Sequence, residues 1–287
     1  MSRIVTSEEQ YLDDFRELIE ERSGIRFDSS RKRFFSAHVR EHLQSKGLAS
    51  GAELMPIVQS SNVEYEALLQ RLLTHETSFF RYPSAFEALK KRVLPEIHAR
   101  KMWCTPRSVR IWSAGCSTGE EPYSISIAIA ECPAFATGWD IEILATDVSR
   151  QAIARATQAT YPLRSLSSLS PQQVEAYFQP ACHHFAVKPE IRKRVLFVVM
   201  NLVQSLYLGR MDCIFCMNVL IYFSDERREQ LIRNFWDGLE PGGYLLLGHS
   251  ESLGNISVNF ERIVYEDFML YRKPPGENGD PPLGSKV

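Results

Sequence analysis

Gly115, Cys116, Ser117, Thr118 and Gly119 lead straight into Glu120, Glu121 and Pro122. A glycine-rich turn before a helix usually holds phosphate on its backbone N–H groups, and Lys or Arg then helps. This turn delivers two carboxylates instead. An acidic loop repels a diphosphate but suits a ligand with a cationic end. Glu121 can pair with that charge while the glycines let the backbone approach closely. S-adenosyl-L-methionine has this chemistry: a ribose, an α-ammonium group and a sulfonium, and no phosphate. The alternative is that Glu120 and Glu121 only complement a helix dipole. Three other apolar segments also end on polar residues, at Asp147, at Asn201, and at Met217 and Asn218 with Tyr222 close behind. Asp147 is either a helix N-cap or an acceptor for both ribose hydroxyls. Four such ends together point to a nucleoside ligand.

A second unusual stretch is "THETSFFRYPSAF", residues 74–86, which sets Arg81 among aromatic residues just ahead of a helix. Such a loop can fold over a crevice as a lid. Alternatively it is a capped helix start with Phe79 and Phe80 in the core.

The elements that must position these residues fall into two textures. The first hundred residues read as helices. Tyr11, Leu12, Phe15, Leu18 and Ile19 share one helical face, behind a capping box at Thr6–Glu9 or Ser7–Gln10, and Gly24 supplies a stop. A helix over about 30–46 buries Phe35, Val39 and Leu43, and shorter periodicities follow at Leu54–Val58 and Leu68–Leu73. A long helix starting near Pro83 buries Phe86, Leu89, Val93 and Ile97. From residue 108 short apolar strands alternate with amphipathic helices: "VRIWSAG", "IEILATD", "RVLFVVMNL", "DCIFCMNVLIYF", "GYLLLGHS" and finally "IVYEDFMLYR". That alternation predicts βαβ units around a mostly parallel, doubly wound sheet, whose ligands bind at the carboxyl ends of the strands where the order reverses. The stretch before "RVLFVVMNL" is too long for a simple connection. It holds a helix-like "PQQVEAYF" and a candidate hairpin around "HHFAVKPEIRKRV", which predicts an inserted subdomain over about 161–193. The Pro/Gly-rich end, about 274–287, reads as disordered.

Composition limits the alternatives. The 287 residues are 44% hydrophobic and 24% charged, with a formal net charge of −2. That is the make-up of a soluble globular protein, and it argues against a dedicated nucleic-acid binder. No apolar run is long enough for membrane insertion, and the start has no signal-peptide core, so a cytoplasmic location is expected. Cys213 and Cys216 suggest zinc, but residues i and i+3 of a strand face opposite sides, so no metal is expected. His249 in "GHSES" is a candidate base, with a capping or structural role favoured. Over residues 31–46 five basic side chains, Arg31, Lys32, Arg33, Arg40 and Lys46, meet one acidic one, Glu41. This is either a solvated face or a docking surface for an acidic partner.

The stretches "ETSFFR", "IWSAGCSTGEEPYSI", "ATDVS", "NL", "CMNVLIYF" and "GHSESL" occur in the order and spacing of the chemotaxis receptor methyltransferases. The chain resembles that CheR family from about residue 8 to 272. The resemblance implies an N-terminal all-α receptor-facing domain, 1–74, and a class I, Rossmann-like methyltransferase domain with the small β insert, 75–287. It implies methyl transfer from S-adenosyl-L-methionine to glutamate side chains of chemoreceptors, leaving S-adenosyl-L-homocysteine and a γ-glutamyl methyl ester. The family's cofactor contacts fall on His75, Thr77 and Arg81, on Gly115 and Glu121, on Asp147, on Asn201 and Leu202, and on Met217 and Asn218. Arg81 and Tyr222 match residues beside the transferring methyl. Receptor docking is assigned to Arg31, Lys32, Arg33 and Arg40. Two positions depart from the pattern: His75 stands where Asn is usual, and Met217 where Arg is common. His75 replaces an amide donor only in the right tautomer. Some members tether a receptor C-terminal pentapeptide through a glycine-containing loop of the insert. Here that loop is shorter and lacks glycine, so weak or absent tethering is expected. Two rivals remain: a class I methyltransferase with another acceptor, and a non-enzymatic receptor-binding protein with a degenerate pocket.

Overall fold

The computed structural model describes residues 7–204, 208–254, 256 and 258–276. Thr6 of one candidate capping box lies outside them, as do residues 277–287 of the proline-rich end; 274–276 form no regular element.

Four helices open the chain: α1 (Ser7–Ser23), α2 (Lys32–Ser45), α3 (Gly51–Ser60) and α4 (Asn62–Leu72). Each carries apolar residues three or four apart, so each has one stripe to bury. Phe15, Ile19, Val39, Leu54, Val58 and Leu68 meet in one core at zero exposure. Gly24 ends α1 with φ +77°, donating its N–H to the Glu20 carbonyl at 2.8 Å. The helix predicted from Pro83 is present as α5 (Pro83–Ala88) and α6 (Leu94–Lys101), continuous through a π-helical turn at Leu89–Val93. The cause is Pro95, which has no N–H to give the carbonyl four residues back, so the ladder widens there.

Seven strands form the main sheet. They are β1 (Ser108–Ala114), β2 (Asp140–Asp147), β6 (Val195–Val199), β7 (Met211–Cys216), β8 (Leu239–Leu247), β9 (Glu261–Tyr265) and β10 (Phe268–Arg272). Their order is β6-β2-β1-β7-β8-β10-β9, with the first five parallel and the last two antiparallel. The chain winds outward from β1 to β2 and β6, then returns to β7 beside β1, so the order reverses between β1 and β7. Crossovers α7 (Glu120–Ala130), α8 (Arg150–Gln158) and α11 (Asp225–Gly238) cover the faces. One core holds Ile111, Ile125, Cys213 and Phe215, the other Trp112, Ile214, Cys216 and Phe235. Cys213 and Cys216 therefore lie in different cores, as strand periodicity requires. Among the described residues no group of three or more His, Cys, Asp or Glu side chains is arranged to hold a metal ion. No described helix is long and apolar enough to cross a membrane.

Two details differ from expectation. "IVYEDFMLYR" is a hairpin, β9 and β10, that turns at Glu266 with φ +51°; no Asn-Gly or Asp-Gly marks it. In the insert, β3 (Thr160–Pro162), β4 (Phe178–Ala181) and β5 (His184–Val187) form an antiparallel sheet in the order β3-β5-β4, preceded at β4 by α9 (Pro171–Tyr177). Its β4–β5 hairpin turns at Cys182, φ +52°, earlier than the sequence suggested. The "PEIR" part instead forms a short helix, α10 (Pro189–Arg192), with Pro189 at its first position.

Candidate functional site

The reversal between β1 and β7 opens a cleft of about 250 Å³. His75, Thr77, Arg81, Gly115, Glu121, Asp147, Asn201, Leu202, Met217, Asn218 and Tyr222 all line it. The topology brings them together because the loops after β1, β2, β6 and β7 leave the same edge, and residues 73–82 cross above them. Ser23 and Ile25 reach in from the end of α1, so the helical region forms part of the wall.

The crossing segment is pinned at one end. Phe79 is fully buried, its ring 5.0 Å from Tyr161 and 5.3 Å from Phe178 of the small sheet. Ser168 donates to the Phe79 carbonyl at 2.6 Å, and the Phe80 N–H donates to Ser124 Oγ at 3.0 Å. Arg81, next along, is exposed and donates to the Glu76 carbonyl at 2.6 Å. The phenylalanines are thus core, and the arginine is free to face the cleft mouth.

Gly115 sits at φ +84°, and a Cβ there would lie 2.4 Å from Val219 Cγ2. Its missing side chain is what lets the loops after β1 and β7 close on each other. Gly119, φ +96°, plays the same part against Ala156 and Tyr161. The two glutamates then separate by role. Glu120 is 5% exposed and takes the Thr118 hydroxyl at 2.7 Å, on the far side of the turn from the cleft. Glu121 points into the cleft, where its Oε1 accepts from Ser113 Oγ at 2.7 Å. Burial pushes its carboxyl up to about 7, nearby Glu251 adding to the rise, while the Ser113 hydrogen bond and Arg81 act the other way. Among the described residues no cationic group forms an ion pair with Glu121.

Asp147 is not a helix N-cap, because Ser149 caps α8. Its carboxylate accepts from the backbone N–H groups of Ser117 at 2.8 Å and Ser149 at 2.9 Å. Burial raises its pKa against those bonds, and burial lowers that of neighbouring His75. Asn201 donates to the Arg22 carbonyl at 3.0 Å, tying the loop after β6 to α1. Asn218, φ +60°, accepts from the Tyr82 hydroxyl at 2.7 Å. Met217 is 8% exposed and packed in the core. Tyr222 lines the cleft, and its ring lies 5.0 Å from the Arg31 guanidinium.

Several contributors escaped the sequence reading. Glu251 accepts from the backbone N–H groups of Gly248, Asn218, Val219 and Ile221 at 2.8 to 3.3 Å, holding the loop after β7 in shape. It lies inside "GHSESL", two residues after His249. His249 packs its ring against Tyr82 and Phe268. Ser113 and Gln70 were invisible because their partners, Glu121 and Ser149, lie 8 and 79 residues further along the chain. Of the residues expected to dock a partner, none lines the cleft: Lys32, Arg33 and Arg40 are exposed on α2, and Arg31 is half-buried beside Phe27, Phe34 and the cleft residue Tyr222. Lys46 is exposed as well and pairs with Glu64 at 2.7 Å.

A cleft that ends on a buried carboxylate hydrogen-bonded to a neutral hydroxyl is short of a cation, and the adjacent acid, Asp147, keeps acceptor capacity for hydroxyls. The donor set therefore fits S-adenosyl-L-methionine and not a diphosphate nucleotide. Comparison with known proteins agrees. The family model described as "CheR methyltransferase, SAM binding domain" matches residues 75–268. The chain is 36% identical over 265 residues to "Chemotaxis protein methyltransferase 1" of Pseudomonas aeruginosa, covering 90% of this chain and 96% of that protein. It is 33% identical over 268 residues to "Chemotaxis protein methyltransferase Cher2" of Pseudomonas putida, covering 91% and 96%. It is 34% identical over 284 residues to "Chemotaxis protein methyltransferase 2" of Vibrio cholerae, covering 96% of each.

Proposed function

The chain belongs to the CheR methyltransferase family and carries its S-adenosyl-L-methionine-binding domain, and from that membership and the cleft we propose that it methylates glutamate side chains of chemoreceptors. The observation that carries the reading is Glu121: a buried carboxylate, raised to about 7, at the point where a cationic ligand end has to sit.

When bound, S-adenosyl-L-methionine supplies an electrophilic methyl group on a sulfonium. Glu121 holds the cationic amino-acid end, Asp147 the ribose hydroxyls, and the loops at Asn201–Leu202 and Met217–Asn218 the remainder. Met217 offers no side-chain donor, so its backbone serves there. The acceptor needs no general base: a glutamate carboxylate, with a pKa of about 4.3, is already ionised at neutral pH. The protein's work is to exclude water and fix geometry, since attack by an anion on a cation is favoured where charge is poorly solvated. Arg81, at the mouth and near enough to Glu121 to lower its pKa, orients the incoming carboxylate. Tyr222 lines the path of the methyl group. The exposed basic side chains of α2 receive the acidic helices of the receptor, and Arg31 joins that surface to the cleft through its contact with Tyr222. The insert's short β4–β5 turn at Cys182–His183 has no glycine, which supports the reading that pentapeptide tethering is weak or absent.

The test is incubation with tritiated S-adenosyl-L-methionine and receptor-bearing membranes. Label released as methanol by mild alkali is expected. Alkali-stable label would assign a different acceptor atom.

A further inference from the structure

Five side chains from four separate elements close into a polar ring beside the cleft. Asp147 takes the Ser117 N–H at Oδ2 and the Ser149 N–H at Oδ1. Ser149 Oγ accepts the Ala152 N–H at 3.0 Å as the cap of α8, so its hydroxyl proton goes elsewhere, to the side-chain oxygen of Gln70. That contact orients the amide. With its oxygen engaged by Ser149, Gln70 turns its nitrogen toward His75 Nε2. An amide nitrogen only donates, so His75 Nε2 has to present a lone pair. The imidazole proton then sits on Nδ1, which lies 3.4 Å from Ser117 Oγ and closes the ring.

We propose that Gln70, on the helical region's α4, is a positioning residue for the cofactor site. It holds His75 in the Nδ1–H tautomer, so that the ring offers an N–H donor toward the Gly115–Gly119 turn and the cleft. The proposal rests on reading the cleft as the S-adenosyl-L-methionine site. A free histidine side chain favours the other tautomer, with the proton on Nε2; left alone, His75 would turn a lone pair toward Ser117. A side-chain amide at position 75 would carry its donor without help. A histidine needs a partner that fixes which nitrogen is protonated. Burial keeps positive charge off the ring by disfavouring imidazolium, with Asp147 opposing and Arg155 assisting that effect. Gln70 fits the task where other residues fail. Glutamate would accept rather than donate and select the Nε2–H form, and leucine would select neither.

The experiment is long-range ¹H–¹⁵N NMR of the histidine-labelled protein at neutral pH, with His75 assigned by loss of its signals in His75→Asn. The wild type is expected to show Nδ1 protonated, and Gln70→Leu to shift His75 toward Nε2–H. Circular dichroism checks that both variants fold, and Gln70→Glu, which keeps the side chain's size, provides a second test of the same tautomer shift. Calorimetry with S-adenosyl-L-homocysteine then separates positioning from bulk structure. Gln70→Leu is expected to weaken binding about three- to tenfold, the worth of one hydrogen bond, but to change it less than about twofold in the His75→Asn background. An Nε2–H signal in the wild type, or equal losses in both backgrounds, overturns the proposal. Absence of binding in every protein, with the tautomers as expected, would count against the cofactor reading and leave the hold of Gln70 on His75 supported.

Discussion

Lowering the pH from 7 to 5.5 should loosen the cofactor product because Glu121 takes up a proton. Its carboxyl titrates at about 7 in the unliganded protein, through burial first and the nearby Glu251 second. If only the carboxylate pairs with the ligand's ammonium, the dissociation constant scales as one plus the proton-bound ratio. That factor is about 2 at pH 7 and about 33 at pH 5.5, a roughly sixteenfold loss or about 1.6 kcal/mol. The window lies below the range in which an α-ammonium group loses its proton. S-adenosyl-L-homocysteine titrated by calorimetry over this range gives the slope. Repeating the pH 7 titration in two buffers of different ionisation enthalpy gives the protons released, about half a proton per site. Glu121→Gln should bind more weakly at pH 7 and lose most of the slope, leaving what Asp147 and His75 contribute. An affinity that is flat from pH 5.5 to 7, or a slope that survives in Glu121→Gln, refutes the assignment of Glu121 to the cationic end.

The same shift fixes the sign of a stability effect. Because the folded pKa of Glu121 lies above its unfolded value, its contribution to stability is fully present below about pH 4.3 and lost as pH rises through 7. The melting-temperature rise given by saturating S-adenosyl-L-homocysteine should therefore be larger at pH 7.5 than at pH 5.5. Arg81→Ala should abolish methylation while leaving product binding within a few-fold; equal loss of both would make Arg81 a binding residue only. Arg33→Glu combined with Arg40→Glu should cut receptor methylation and its salt dependence, and unchanged rates would place docking elsewhere. Gly115→Ala should destabilise the protein by about 2 kcal/mol or more, from the left-handed backbone and the clash with Val219. In thermal melts Val219→Ala should recover the clash and not the backbone part. A receptor C-terminal pentapeptide should show no submicromolar binding in calorimetry.

The strand ends were legible because chemistry and periodicity coincide there. Apolar runs such as "IEILATD" announce a strand and its polar last residue together, and alternation with helices forces those ends onto one edge. Eight of the eleven residues proposed for cofactor contact and methyl transfer line one cleft for that reason; His75, Thr77 and Arg81, implied by the family resemblance and not by periodicity, reach it from the segment that crosses it. What stayed hidden depends on contacts that no local pattern records. The β9–β10 hairpin turns on Glu266 without a glycine, so "IVYEDFMLYR" reads as one apolar run. Pro95 has a visible effect on the helix ladder only once its carbonyl partner is considered. Gly115 resembles a ligand-approach glycine, yet Val219, from the loop after β7, is what its bare Cα accommodates. Ser113 reaches Glu121, Gln70 reaches Ser149 and Glu251 reaches Asn218 across 8, 79 and 33 residues, distances over which spacing carries no signal.

The most direct test is a crystal structure with S-adenosyl-L-homocysteine bound. The account predicts the ligand in the cleft between β1 and β7, its ammonium in hydrogen-bond contact with Glu121 and its ribose hydroxyls on Asp147. A ligand seated elsewhere, or seated there with both carboxylates turned away from it, would contradict the account.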